Sequence, residues 1–313
     1  MRTLGNGAPS ADRLGRILLT WGFTAMALLM DAGLSWSSVE KNPTQSELKP
    51  SACVECHEAQ AKAIGPTYHG NLPQTCLECH STGAAEHIRI AQEKQEAGPM
   101  LSFEKMPAAD VSKTCLECHE KGKQANFMGG VHDRRGTSCV SCHSVHAFKS
   151  TKAQLKTARE IDTCYTCHPA IRAKGMKASH HPVREGRIAC SSCHNPHDST
   201  TPKMVSAAWV NEKCLECHTE KRGPFLWEHA PVRENCVQCH DPHGSNHDKL
   251  LVAKLPYLCQ RCHMNTRHPG TLYDFRNASS GVAPSNRAVE HSCKNCHQNV
   301  HGSNAPSGPY LGR

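Results

Sequence analysis

Ten copies of the pattern Cys-x-x-Cys-His run through this 313-residue chain, and together they use all 20 of its cysteines. The copies stand at Cys53, Cys56 and His57; Cys76, Cys79 and His80; Cys115, Cys118 and His119; Cys139, Cys142 and His143; Cys164, Cys167 and His168; Cys190, Cys193 and His194; Cys214, Cys217 and His218; Cys236, Cys239 and His240; Cys259, Cys262 and His263; and Cys293, Cys296 and His297. A disulfide framework has no need of a histidine directly after every second cysteine, and neither has a zinc site. The pattern is the attachment signature of c-type haem. Each pair of thiols adds to the haem vinyl groups, and the histidine that follows becomes an axial iron ligand. Ten covalent haem c groups are therefore expected, anchored by these 20 cysteines.

The motifs fall into five units that begin at Cys53, Cys115, Cys164, Cys214 and Cys259, a spacing of 45 to 62 residues. Repetition at such a period marks a linear array. Each unit has one histidine between its motifs and one shortly after the second. These are His69 and His87, His132 and His146, one of His180 and His181 with His197, His229 and His243, and His268 and His301. They are candidate sixth ligands, giving bis-histidine iron throughout. Aligning Pro182-Val-Arg-Glu on Pro231-Val-Arg-Glu sets His180 opposite His229, so internal repetition favours His180 over His181. His247 and His291 read as surface residues. His146, His197 and His243 lie three residues beyond a motif histidine and His301 lies four beyond. So short a tether does not wrap round a flat porphyrin, so each of these four is expected to serve a neighbouring haem. Met176 and Met264 read as packing residues, because enough histidines exist without them. With both axial positions filled, no iron is open to substrate, which favours an electron carrier over an enzyme.

The composition agrees with a core made mostly of porphyrin. Aromatic residues are 5% and mean hydropathy is −0.56, low for a globular chain of this length. The formal charge of +8 is not a nucleic-acid signal. The haem propionates bring acidic partners for Lys and Arg, and basic and aromatic residues are not interleaved as in single-strand binders. Arg2, Arg13 and Arg16 precede an apolar run from Ile17 to Met30, too short for an ordinary membrane span. Residues 1–35 read as a secretory signal cleaved near Ala32 or Ser35, and 36–313 as the decahaem domain. Helix is expected over Ala84 to Glu96 and over Lys152 to Ile161, with short helical turns at the motifs and a surface loop from Met264 to Glu290. The fold class expected is a multihaem cytochrome c: irregular loops and a few short α-helices around an elongated array of haem pairs.

The ten motifs, the paired histidines, the stretch Glu220-Lys-Arg-Gly-Pro-Phe-Leu-Trp-Glu-His229-Ala-Pro and the ending Val300-His-Gly-Ser-Asn-Ala-Pro-Ser-Gly resemble the MtrA/MtoA/PioA/DmsE family of decahaem cytochromes. In that family the histidine of the third repeat directly precedes its proline, so the resemblance implies His181 and overrides the internal alignment. It carries the other sixth-ligand positions onto His69, His87, His132, His146, His197, His229, His243, His268 and His301. It also implies a periplasmic protein associated with the outer membrane and seated in a β-barrel porin. Electrons would come from or go to periplasmic cytochromes, and to or from the cell exterior, where an extracellular multihaem cytochrome is a further partner. Either metal or dimethyl sulfoxide reduction or iron oxidation would be served, and the direction of flow is not written in the chain.

Overall fold

Every Cys-x-x-Cys-His segment closes on itself as one turn of helix. In all ten, the histidine backbone N–H donates to the carbonyl of the first cysteine, at 2.9–3.1 Å. This is the helical i to i+4 bond. It sets the two cysteines, three apart, on one face, with the histidine next along the chain. The computed structural model describes residues 48–94, 98, 100, 102–263, 293–306 and 308–312, all within one unit, Pro43–Arg313. The expected leader, the loop from Met264 to Glu290, and His268 and His291 lie outside the described residues.

Short helices feed the first motif of the middle repeats. Ala108–Leu116, Glu160–Tyr165 and Val210–Leu215 each run into a first cysteine and bury Val111, Ile161 and Asn211 respectively. Asn211 ties the two motifs of its repeat together. Its Nδ2 donates to the carbonyls of Val232 and Arg233, both at 2.9 Å, and its Oδ1 accepts the Cys236 N–H at 2.7 Å. The longest described helix, Ala84–Lys94, follows the sequence expectation as far as the described residues go. It is rich in good helix formers, and Arg89 pairs along its exposed side with Glu86 and Glu93.

The helix expected over Lys152 to Ile161 does not form. Ala153 and Gln154 turn left-handed, with φ of 59° and 48°, and Leu155 then bridges to His143. Helix begins only at Glu160. The same device recurs at Lys203 and Met204, and at Lys249 and Leu250, all at positive φ, followed by bridges from Val205 to His194 and from Leu251 to His240. Left-handed backbone costs a non-glycine residue roughly 1–2 kcal/mol. Helix propensity loses here because the turn places a carbonyl where the motif histidine needs it.

Isolated bridges are the only β-structure among the described residues. Two of them join successive repeats, Ser179 to Ser245 and Trp227 to Ser303. In a third place the Val131 N–H donates to Ser199 Oγ at 2.8 Å. Each joins the chain beside the first candidate histidine of one repeat to the residue two beyond the second candidate histidine of the next. Among the described residues only Ile64, Leu77, Ala84, Val111, Phe127 and Ile161 are buried apolar side chains, whereas Tyr68, Trp209, Leu226 and Tyr257 are exposed. No described helix is long and apolar enough to cross a membrane.

Candidate haem sites

The motif turns leave ten histidine rings projecting from the backbone, and nine of them face a second histidine ring. The pairs are His57 with His87, His69 with His119, His80 with His146, His132 with His168, His143 with His197, His181 with His218, His194 with His243, His229 with His263 and His240 with His301. Their centroids are 5.9–6.3 Å apart. An imidazole nitrogen binds a metal at about 2 Å and sits roughly 1.1 Å from its ring centre, so two rings flanking one iron have centroids about 6.2 Å apart. The observed spacing fits an iron between each pair. Direct stacking of the rings would bring them closer.

Each pair joins a motif histidine to one from outside any motif, and the pairing follows a rule. The first candidate histidine of a repeat faces the first motif histidine of the next repeat, as His132 faces His168. The second candidate histidine faces the second motif histidine of the preceding repeat, as His197 faces His143. Neighbouring repeats thus exchange histidines reciprocally. His146, His197, His243 and His301 all reach a neighbouring repeat. The first repeat closes its own end: His87, carried on the helix Ala84–Lys94, faces His57.

Backbone carbonyls orient the rings. His143, His194 and His240 donate from Nδ1 to the carbonyls of Ala153, Lys203 and Lys249, at 2.6, 2.9 and 2.7 Å. These are the carbonyls that the left-handed turns present. His297 does the same to Tyr310, followed by Leu311 at φ 54°. Across repeats, His132, His181 and His229 donate to Pro196, Pro242 and Val300, at 2.8, 2.8 and 3.0 Å. His87 donates to Gly98 at 3.1 Å. A carbonyl only accepts, so Nδ1 carries the proton and the Nε2 lone pair is left for a metal. Sequence reasoning missed these acceptors, which are backbone atoms supplied by residues of no common type. Pro196 and Pro242 are the visible trace, each directly before a candidate histidine.

His180 and His181 point in different directions. His181 faces His218 at 6.3 Å. His180 turns away to Glu185 at 3.1 Å and to the Lys177 carbonyl at 2.7 Å. The hydrogen bond that His180 donates to the Glu185 carboxylate holds His180 above the usual imidazole range. His243, His197 and His146 go the other way, pushed down chiefly by burial, and His301 is lowered to about 4 by burial and then by Lys221. Buried, uncharged imidazoles are what metal ligation requires.

The thiols place the motifs in order. Within each repeat the first cysteines meet, Cys53 with Cys76, Cys115 with Cys139, Cys164 with Cys190, Cys214 with Cys236 and Cys259 with Cys293. The hydrogen bond from Cys115 lowers Cys139, and that from Cys214 lowers Cys236. Between repeats it is the second cysteines that approach. Burial raises Cys79, Cys142, Cys193 and Cys239, and Cys118, Cys167, Cys217 and Cys262 raise them further. Each motif therefore neighbours the one before and the one after it in sequence, alternately through its first and second cysteine. Glu160 lies beside Cys164 and Cys190. It is occupied there in accepting the N–H and Oγ–H of Ser191.

Comparison with known proteins agrees with this architecture. A model of the doubled CXXCH motif matches residues 180–223 and 229–268, and a model of NrfB-like c-type cytochrome proteins matches residues 76–167. The chain is 38% identical over 271 residues to multiheme cytochrome MtrA of Shewanella baltica (strain OS185), covering 84% of this chain and 80% of that one. The chain belongs to the MtrA family of multihaem c-type cytochromes. In this MtrA-family chain the cysteine pairs are sites of covalent haem c attachment, and the protein is an electron-transfer cytochrome.

Proposed function

We propose that this MtrA-family chain binds ten haems, each iron held between a motif histidine and a histidine from outside the motifs, and relays single electrons from motif to motif in sequence order across the outer membrane within a porin barrel. The observation that carries the reading is the set of nine facing histidine pairs at iron-spanning distance. The count of histidines leaves His297 and His268 for the tenth iron. The bound haems supply one-electron redox chemistry. The chain's own residues hold the irons and fix their spacing. They would offer each iron two histidine nitrogens, which would leave no site for substrate. Low potentials follow from two imidazoles and no methionine. The porphyrin faces would also supply the buried apolar surface that the six buried apolar side chains among the described residues do not.

A leader that exports the chain to the periplasm supports this reading, because bacterial c-type haem is attached outside the cytoplasm. A loop-rich, charged surface suits the polar lumen of a large barrel rather than lipid. Periplasmic cytochromes would exchange electrons with one end of the series and an extracellular multihaem cytochrome or a mineral with the other. The test is a liposome with an enclosed redox dye and an external reductant. Cytochrome with porin reduces the dye, and either alone does not. Dye reduction by the cytochrome alone, or none by the complex, would replace the conduit with a soluble periplasmic carrier.

A further inference from the structure

In seven of the nine described pairs one ring has its Nδ1–H held by a backbone carbonyl. The pair His80–His146 differs in kind, its His80 ring packing on Phe103 at 5.2 Å. In the pair His69–His119, neither ring has a carbonyl acceptor among the described residues. His69 Nδ1 is shielded from solvent and meets no hydrogen-bond partner. Its counterparts in the next three repeats, His132, His181 and His229, face the same kind of motif histidine and are bonded to Pro196, Pro242 and Val300. The four pairs are equivalent by position, and the His69 pair lacks the carbonyl bond that the other three have.

That bond acts through the ring on the iron. A carbonyl drawing on the Nδ1 proton gives the imidazole some imidazolate character, makes Nε2 a stronger donor and favours ferric iron. Where the acceptor is missing, ferric iron loses that support. We infer that His69 is a tuning residue, and that its lack of an acceptor makes the iron between His69 and His119 easier to reduce than those of the three equivalent pairs. The inference rests on the ligand reading proposed above. Among these four irons an electron then resides preferentially at the third motif, Cys115 to His119.

The experiment is an equilibrium redox titration of the intact holoprotein, followed by the low-spin ferric signals in electron paramagnetic resonance. His69→Met, His132→Met and His181→Met each keep six-coordination and move one component to more positive potential, which identifies it in the wild-type titration. The component identified by His69→Met is expected to titrate at more positive potential than the other two. If it titrates with them or below them, the tuning role is wrong while the ligand reading stands. If His69→Met moves no component, the ligand reading falls as well. Should the methionine variants fail to accumulate, His69→Ala, His132→Ala and His181→Ala mark the same components by conversion to high spin. A purely structural role for His69 would disturb folding without setting this order.

Discussion

A single imidazole in this protein has two ends with separate work. Nε2 points into a pair, and Nδ1 is fixed by a carbonyl that often comes from 60 or more residues away, as His229 shows with Val300. Having one nitrogen tied makes the other directional, which a free surface histidine is not. His229 and His247 therefore predict opposite outcomes. His229 faces His263 at 6.2 Å. Its replacement by alanine should convert one haem to high spin, seen in electron paramagnetic resonance of the oxidised protein. His247→Ala should leave the spectrum unchanged, because among the described residues His247 faces no motif histidine. Identical spectra for the two variants would undo the ligand reading.

At the scale of elements, the left-handed turns and the inter-repeat bridges outweigh the helices. The helices are short, and most of their stability must come from what they pack on. The bridges are what bring a second candidate histidine onto the preceding repeat. Gly244 shows how tight this is. It follows His243 directly at φ 146°, and a Cβ there would overlap the carbonyl of Lys174 in the preceding repeat. The neighbouring Asp241 holds the Lys174 ammonium at 2.7 Å. Gly244→Ala is expected to cost about 2–3 kcal/mol, to part Ser245 from Ser179, and to move His243 off His194, giving a high-spin signal. Gly186 is the control, with positive φ but open space where a Cβ would stand. Gly186→Ala should cost about 1 kcal/mol and leave every haem low-spin. Denaturant unfolding with spin-state measurement separates the two. Equal effects would mean that the approach of Gly244 to Lys174 is not what seats His243.

For the whole molecule, reciprocal exchange means that no middle repeat is complete alone. Each interior repeat lends both of its candidate histidines and borrows two in return, so stability and iron ligation are properties of interfaces, as in other repeat arrays. Removing residues 259–313 tests this. The full mature chain should carry ten covalent haems by intact mass after denaturation, and the truncated chain eight. The truncation also takes away His301, which faces His240, and His263, which faces His229. One of the eight haems, that of His240, should therefore be five-coordinate and high-spin. A truncated protein with all haems low-spin would show that the repeats do not depend on each other in this way.

Much of this was legible in the chain. Covalent attachment needs two thiols and a histidine at fixed spacing within five residues, so local sequence alone determined the motifs, their order and the family. A three-residue tether is a steric limit, and it already sent His146, His197 and His243 to a neighbour. What tertiary structure decided is which neighbour. His132 meets His168 and His197 meets His143 where the Val131 N–H bonds Ser199 Oγ, 68 residues on, and bridges align the later repeats in the same way. His181 rather than His180 faces His218 because of where the backbone points, against the internal alignment of the prolines. The Lys152 to Ile161 segment reads as helix from its side chains alone. It turns left-handed because His143 needs a carbonyl that a helix would have kept for itself. Attachment chemistry is local and therefore written in the sequence. Ligand exchange and the hydrogen bonds behind it join residues far apart in the chain, and only the folded backbone brings them together.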